Sequence, residues 1–270
     1  MTEQIVLGGD LSVSRLGFGA MRLGPDLGLP KNPDRDTALR VARRAVELGI
    51  TFIDTADAYG IGANEELLAE ALHPYADDLV IGTKVGNTRP NWDWVPVGRP
   101  EYLVQQAELC LRRLRLDRLD LLQLHRIDPK VPLEDQIGAL RQLREAGKVR
   151  HIGLSEVSVE QLVAAREIAP IVSVQNRYNL ADRASDPVLD YCTAEGIAFL
   201  PWRPVEAAPA EAVARRIGAT ASQVSLAWLL RRSPVMLPIP GTSSVEHLEE
   251  NTAARDITLS DADYQELTER

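Results

Sequence analysis

The sequence predicts an α/β protein folded as a closed (β/α)8 barrel of the TIM type, opened by an N-terminal β-hairpin and finished by a short C-terminal extension. Three observations predict it. The 270 residues match the roughly 250 that such a barrel needs, so a single domain, 1–270, takes nearly the whole chain. Short apolar runs alternate eight times with stretches of helical period. A doubly wound open sheet shares that alternation but usually carries G-x-G-x-x-G after its first strand. The first βα loop here, Leu23-Gly24-Pro25-Asp26-Leu27-Gly28-Leu29-Pro30, lacks that pattern.

The elements follow in order. Ile5 to Leu11, punctuated by Gly8-Gly9-Asp10, reads as a hairpin lid outside the repeat. The barrel strands are expected at Arg15–Met21, Thr51–Asp54, Leu79–Lys84, Leu119–Leu124, His151–Leu154, Ile171–Gln175, Ile197–Leu200 and Met236–Ile239. The helices between them are expected at Asp36–Leu48, Asn64–Leu72, Pro100–Leu114, Leu133–Ala146, Ser158–Ile168 and Asp186–Glu195. A seventh comes in two parts, Ala210–Ile217 and Ser222–Arg232, and an eighth covers Ser244–Ala254. Gly49, Gly147 and Gly196 stand where helices should stop, and Pro100 sits in a first turn. Ser260 is placed to cap a last short helix.

Bulk composition narrows the function. Apolar residues make up 45% and charged residues 26%, ordinary for a soluble globular protein. A net charge of −9 argues against nucleic acid or an anionic membrane as partner, although a local pocket can still take a phosphate. Cys110 and Cys192, alone in separate helices, fit a reducing compartment and read as buried inert thiols. His73, His125, His151 and His247 lack metal-ligand spacing, so no metal is expected. No run approaches the ~18 apolar residues of a membrane span, and Met1-Thr2-Glu3-Gln4 opens no signal peptide. These points predict a cytoplasmic protein. Arg112, Arg113, Arg115 and Arg118 suit a helix C-terminus and a solvated face. The sequence sets no oligomeric state and is compatible with a monomer.

Catalytic residues in a βα barrel come from the C-terminal ends of the strands and the loops beyond. Those ends deliver Asp54, Lys84 and His125, with Tyr59 five residues past Asp54. A phenol at its ordinary pKa of about 10 holds its proton at neutral pH, and a cation against its oxygen lowers that value. Lys84 can be the cation, Asp54 can keep Lys84 charged, and His125 can hydrogen-bond a carbonyl oxygen. Such a set suits hydride addition to a carbonyl. Taken singly each residue has a plainer reading: a turn-capping Asp54, a surface Tyr59, a structural His125. Lys84 is harder to leave idle at a strand end, and the shared placement favours the joint reading.

These residues lie in segments that resemble the aldo-keto reductases, from about Arg15 to Ala254. The matching stretches are Gly49-Ile-Thr-Phe-Ile-Asp54-Thr-Ala-Asp-Ala-Tyr59-Gly60, Ile81-Gly-Thr-Lys84, Leu119-Asp-Leu-Leu-Gln-Leu-His125 and Gly147-Lys-Val-Arg-His-Ile-Gly-Leu-Ser155. They continue with Val174-Gln175-Asn176-Arg-Tyr178-Asn, Ile239-Pro-Gly241-Thr242-Ser243 and Glu250-Asn251. The resemblance implies an Asp54, Tyr59, Lys84, His125 tetrad, ordered binding of NADP(H), with NAD(H) not excluded, and hydride transfer without metal. It implies that Ser155 and Gln175 hold the nicotinamide carboxamide and that Trp202 stacks on the ring; a core aromatic is the alternative for Trp202. Gly241, Thr242 and Ser243 would contact the 2′-phosphate, in keeping with anion binding at a helix N-terminus. Glu250 and Asn251 would meet the adenine.

Two positions depart from the family pattern. Glu156 stands where Asn is common, and a carboxylate cannot donate to the carboxamide oxygen. The phosphate segment lacks Lys or Arg at 241, and His247, a weaker cation, stands where Arg is frequent. Arg203 can reach a pyrophosphate or face solvent. The loop Gly86–Arg99 brings Trp92 and Trp94 toward the substrate pocket or packs them on itself, and Met21 is assigned to the same pocket. The short stretch Leu259–Arg270 leaves no long C-terminal loop, which points to an open pocket and broad specificity. The expected activity is reversible NADPH-dependent reduction of a small-molecule aldehyde or ketone, with pyridoxal a substrate to test. A cofactor-binding regulatory or redox-sensing subunit on the same barrel and a Lys84 Schiff-base enzyme are the alternatives.

Overall fold

The computed structural model describes residues 4–24 and 33–269. Most of the first βα loop, 25–32, lies outside the described residues. Strands β1 (Gln4–Leu7) and β2 (Leu11–Ser14) form an antiparallel hairpin. The repeat then runs β3 (Phe18–Gly19), α1 (Arg35–Glu47), β4 (Phe52–Asp54), α2 (Ala63–Leu72) and β5 (Val80–Val85). A short antiparallel ribbon, β6 (Asn87–Thr88) and β7 (Val95–Pro96), precedes α3 (Pro100–Leu114). There follow β8 (Leu119–Leu124), α4 (Leu133–Glu145), β9 (Val149–Ser155), α5 (Val159–Arg166), β10 (Ile171–Gln175), α6 (Asp186–Glu195) and β11 (Ala198–Phe199). Helices α7 (Glu211–Ile217), α8 (Ala221–Arg232), α9 (Val245–Thr252) and α10 (Asp261–Thr268) complete the described chain. Ser260 caps α10 by accepting from the Asp263 N–H.

Seven strands pair in parallel in the order β3-β4-β5-β8-β9-β10-β11. The eighth, expected at Met236–Ile239, is not a regular strand, because Pro238 and Pro240 have no N–H to donate to a ladder. The segment closes the barrel with the groups it has left. Leu237 N–H donates to Phe199 O at 2.9 Å, while Gly17 and Gly19 donate to Pro238 O and Pro240 O at 2.9 and 3.1 Å. Closure needs close backbones: a Cβ on Gly19 would lie 2.8 Å from Ile239 O, a position only glycine fits. The first strand is likewise shorter than expected, because Ala20–Leu23 turns into a 3-10 helix.

Period-two alternation sorts each strand. Phe52, Val80 and Leu121 point into the barrel, while Ile53, Ile81 and Leu122 pack against the helices. The inner apolar group includes Ile5, Leu7, Leu11 and Val13 of the hairpin. The hairpin is therefore a plug at the N-terminal ends of the strands rather than a lid on the mouth. Asp10 at its turn ties it down, accepting from His151 Nε2 at 2.6 Å and pairing with Arg150 at 3.0 Å. Continuing the same parity places Asp54, Lys84 and His125 on the inner face at the opposite end.

Both cysteines are buried and free, and burial pushes the Cys192 thiol up to about 12. One arginine of the cluster at the end of α3 is not solvated: Arg113 turns inward and binds the buried Glu65 carboxylate at 2.6 Å. Glu65 draws it in, since a carboxylate there would otherwise lack a counter-charge.

Candidate active site

Lys84 is the hub of the mouth. Its side chain is fully buried, and its Nζ lies 2.6 Å from Asp54 Oδ2, 2.8 Å from Thr55 O and 3.4 Å from Tyr59 OH. Tyr59 reaches in from a 3-10 turn, Tyr59–Gly62, whose N–H at Tyr59 bonds Ala56 O. The His125 ring stands edge-on to the phenol, 5.9 Å between centroids. All four expected residues thus converge at the C-terminal ends of β4, β5 and β8.

Electrostatics assign their charge states. Burial works against the Lys84 ammonium, but the Asp54 carboxylate and the Tyr59 oxygen together more than offset it, and the pKa is raised. His125 is held well below the usual imidazole value by burial and by the cations Lys84, Arg126 and Arg89, so it is neutral. For Tyr59, burial raises the pKa and outweighs the pull of Lys84, so its net shift is upward. The expectation of a lowered value fails because the phenol is nearly enclosed: desolvation of the phenolate exceeds the attraction of a cation 3.4 Å away and already shared with Asp54. The site holds a protonated phenol, an ammonium and a neutral imidazole side by side, able to give a proton and hydrogen bonds to one oxygen.

Asp54 is braced from below. Its Oδ1 accepts from Gln175 Nε2 at 2.8 Å and from Gln123 Nε2 at 3.3 Å. The Gln175 amide nitrogen therefore faces the tetrad, leaving its carbonyl oxygen for any ligand above.

The rim residues divide into two groups. Beside the tetrad, the Ser155 hydroxyl accepts from Arg126 Nη1 at 3.0 Å. Glu156, in a left-handed backbone conformation (φ 56°), accepts from Trp202 Nε1 at 2.5 Å and Arg177 N–H at 2.7 Å. Arg203 is also left-handed (φ 50°), with its side chain exposed and its carbonyl taken by Asn179. Farther round, Gly241, Thr242 and Ser243 lead into α9, where Thr242 Oγ1 accepts from Ser244 N–H and Ser244 caps His247 N–H. His247 is exposed on the first turn and Asn251 is buried on the last. Glu250 accepts from Thr220 Oγ1 at 2.6 Å, so it braces α9 against the start of α8.

The two loop tryptophans part ways. The Trp94 ring edge meets Tyr59 and His125 at centroid distances of 6.2 and 5.6 Å, and Arg89 stacks on it at 3.8 Å. Trp92, left-handed at φ 70°, has Arg89 at 5.9 Å and its carbonyl bonded to Arg89 Nε. Trp94 walls the site; Trp92 serves the loop. Met21 is half-buried in the turn after β3.

The model of the aldo/keto reductase family matches residues 15–270. This chain belongs to the aldo/keto reductase family. It is 47% identical over 270 residues to an oxidoreductase of Schizosaccharomyces pombe, covering 97% of this chain and 88% of that one. It is 45% identical over 267 residues to pyridoxine 4-dehydrogenase of Escherichia coli, covering 94% and 93%. Among solved structures, a thermostable aldo-keto reductase bound to the inhibitor epalrestat aligns with a TM-score of 0.87 at 31% identity, over 99% of both chains. An aldo-keto reductase of Klebsiella pneumoniae in complex with NADPH aligns at 0.86 and 26% identity, over 100% of this chain and 95% of that one.

Sequence reasoning missed four residues around the mouth of this aldo/keto reductase. Gln123 carried a signal, a lone amide on the inward parity of an otherwise apolar strand. Arg126 follows His125 directly, but nothing in its neighbours said that its guanidinium would turn to Ser155. Arg89 becomes visible only once Trp94 is placed. Ile61, 62% exposed with φ 54°, was hidden between Gly60 and Gly62. Among the described residues no helix is long and apolar enough to cross a membrane.

Proposed function

We propose that this aldo/keto reductase reversibly reduces small aldehydes or ketones to alcohols with NADPH, Tyr59 acting as general acid. The observation that carries the reading is the buried Lys84 ammonium in contact with both Asp54 and the Tyr59 hydroxyl. When bound, the dinucleotide supplies the hydride. Tyr59 donates its proton to the carbonyl oxygen as negative charge develops there, and Lys84 stabilises the phenolate left behind. Asp54, held by Gln175 and Gln123, keeps Lys84 charged. Neutral His125 donates an N–H to the same oxygen and sets the carbonyl's orientation. In the oxidative direction Tyr59, deprotonated, takes the alcohol proton.

The donor set of the rim fits a nicotinamide dinucleotide. Trp202 offers an aromatic face, half-buried and held by its indole N–H, and Ser155, Arg126 and Gln175 offer polar groups beside the tetrad. Thr242, Ser243 and the first turn of α9 offer hydroxyls and backbone N–H groups to a phosphate, without Lys or Arg at 241–243. Lys84 as a Schiff-base nucleophile is disfavoured, because that chemistry needs a neutral amine and this one is held charged. The similarity to pyridoxine 4-dehydrogenase of E. coli and the Trp94 wall support a small aromatic aldehyde such as pyridoxal.

The test is NADPH oxidation, followed by absorbance, against a carbonyl panel that includes pyridoxal, with NADH in parallel. Tyr59→Phe should cut turnover by about 10²–10⁴-fold while the NADPH dissociation constant stays within about twofold. Near wild-type turnover in that variant would remove Tyr59 from its role.

A further inference from the structure

The nicotinamide ring carries a carboxamide, whose oxygen needs a donor and whose nitrogen needs an acceptor. The residues next to the tetrad divide unevenly between those needs. Glu156 is acceptor-only, and its Oε1 is already committed to Trp202 Nε1 at 2.5 Å and Arg177 N–H at 2.7 Å. Its left-handed backbone (φ 56°) aims it at the indole. The Arg177 guanidinium lies 5.9 Å from the Trp202 ring centroid, so the indole is fixed at its edge and accompanied by a cation. Gln175 directs one N–H of its amide to Asp54, which turns its carbonyl oxygen, an acceptor, away from the tetrad. Ser155 keeps its own O–H as a neutral donor while accepting from Arg126, and the charged donor beside it is Arg126. Its Nη1 bonds His125 O and Ser155 Oγ, which anchors the guanidinium between the tetrad and Ser155 and leaves its remaining N–H groups for a ligand. Glu156 and Tyr59 both act electrostatically on that guanidinium, consistent with its place between them.

We infer that Arg126 holds the nicotinamide through the carboxamide oxygen, and that Glu156 is a positioning residue that locks the Trp202 indole instead of touching the carboxamide. This rests on the NADPH-dependent reading above. Arg126 then does two jobs at once, orienting the ring by its carbonyl and holding the Ser155 hydroxyl in register, while a Glu at 156 costs the ring no contact.

Binding, rather than turnover, tests it. Dissociation constants for NADP⁺ and for thionicotinamide-NADP⁺, whose carbonyl oxygen is replaced by a poorly accepting sulfur, are measured by tryptophan fluorescence, with circular dichroism to verify folding. The wild type should prefer NADP⁺ over the thio analogue by about tenfold, the scale of one charge-assisted hydrogen bond. Arg126→Met should weaken NADP⁺ about tenfold and bind the two alike. Glu156→Gln keeps an oxygen for the Trp202 N–H and should leave both dissociation constants within about twofold, whereas Glu156→Ala frees the indole and should weaken both ligands alike, with the preference for NADP⁺ retained. Should Arg126→Met not fold, Arg126→Lys serves in its place, with reduced rather than abolished discrimination. An unchanged preference in either Arg126 variant overturns the inference while leaving the proposed activity standing. A wild type that binds no NADP⁺ overturns both.

Discussion

The two ends of the barrel handle left-handed backbone differently, although both use glycine for it, Gly60, Gly62 and Gly86 at the mouth (φ 58°, 91° and 105°) among them. At the N-terminal end, where helices stop, glycines such as Gly147 and Gly196 take it (φ 75° and 66°) with no neighbour within 4 Å of a would-be Cβ. Of the six non-glycine residues with positive φ among the described residues, five sit at the mouth: Ile61, Asn91, Trp92, Glu156 and Arg203. The sixth, Arg115, is the C-cap of α3. Each such residue stores about 1–3 kcal/mol. The same contrast holds for charge. At the closed end, exposed Asp10 meets Arg150 and His151, which lower its pKa through hydrogen bonds. At the mouth Lys84, Asp54 and His125 are buried. The chain relaxes where it only needs to hold together and stays strained where chemistry is done.

Substitutions can break that contrast or sharpen it. The largest effect is expected from Lys84→Met, which strands the Asp54 carboxylate in the interior. Stability should fall by about 3–5 kcal/mol and carbonyl reduction by at least about 10²-fold, read by urea midpoint and steady-state rates. A variant as stable as the wild type would mean that the mouth is not held under electrostatic strain. Next come the backbone substitutions. Gly147→Ala should cost about 1 kcal/mol with activity intact. Ile61→Gly should gain about 0.5–1 kcal/mol; losses at both sites would erase the distinction.

The pH profile should follow the burial-raised Tyr59 and the burial-lowered His125. Reduction should stay level from about pH 6 to pH 8, because His125 is neutral throughout. It should fall only on the alkaline side, where Tyr59 loses its proton, and Tyr59→Phe should lack that limb. A break near pH 6.5 in the rate would reassign His125. The smallest effect belongs to Asp10→Ala, a Tm drop below about 2 °C at pH 7. Asp10 has a depressed folded pKa, so its contribution is present above the ordinary value of 3.8 and is lost as pH falls through the depressed one. The difference from wild type should vanish in acid.

What the sequence could tell divides along similar lines. Strand parity is local, so Asp54, Lys84 and His125 were legible as inward residues at one end, and the helix stops at Gly147 and Gly196 were legible from backbone preference. Closure of the barrel was legible in count but not in detail, since Pro238 and Pro240 leave only carbonyls for the last pairing. The hairpin's place was not legible, because its apolar face says only that it is covered and not by which end. Relations across the rim were the least visible. That Glu156 would serve Trp202, that Arg126 would reach Ser155 and that Glu250 would brace Thr220 depend on residues 29–46 positions apart meeting in space, which no local pattern encodes. The Tyr59 shift was misjudged in sign because enclosure cannot be read from a motif.

The hairpin plug gives the molecule the topology of a cup instead of a tube. With Ile5, Leu7, Leu11 and Val13 packed beneath Phe52, Val80 and Leu121, apolar side chains fill the floor of the barrel below Lys84. Were two reactants to share the cup's opening, the one that settles deeper would arrive first and depart last, and traffic, as much as bond-making, would then set the pace of a cycle.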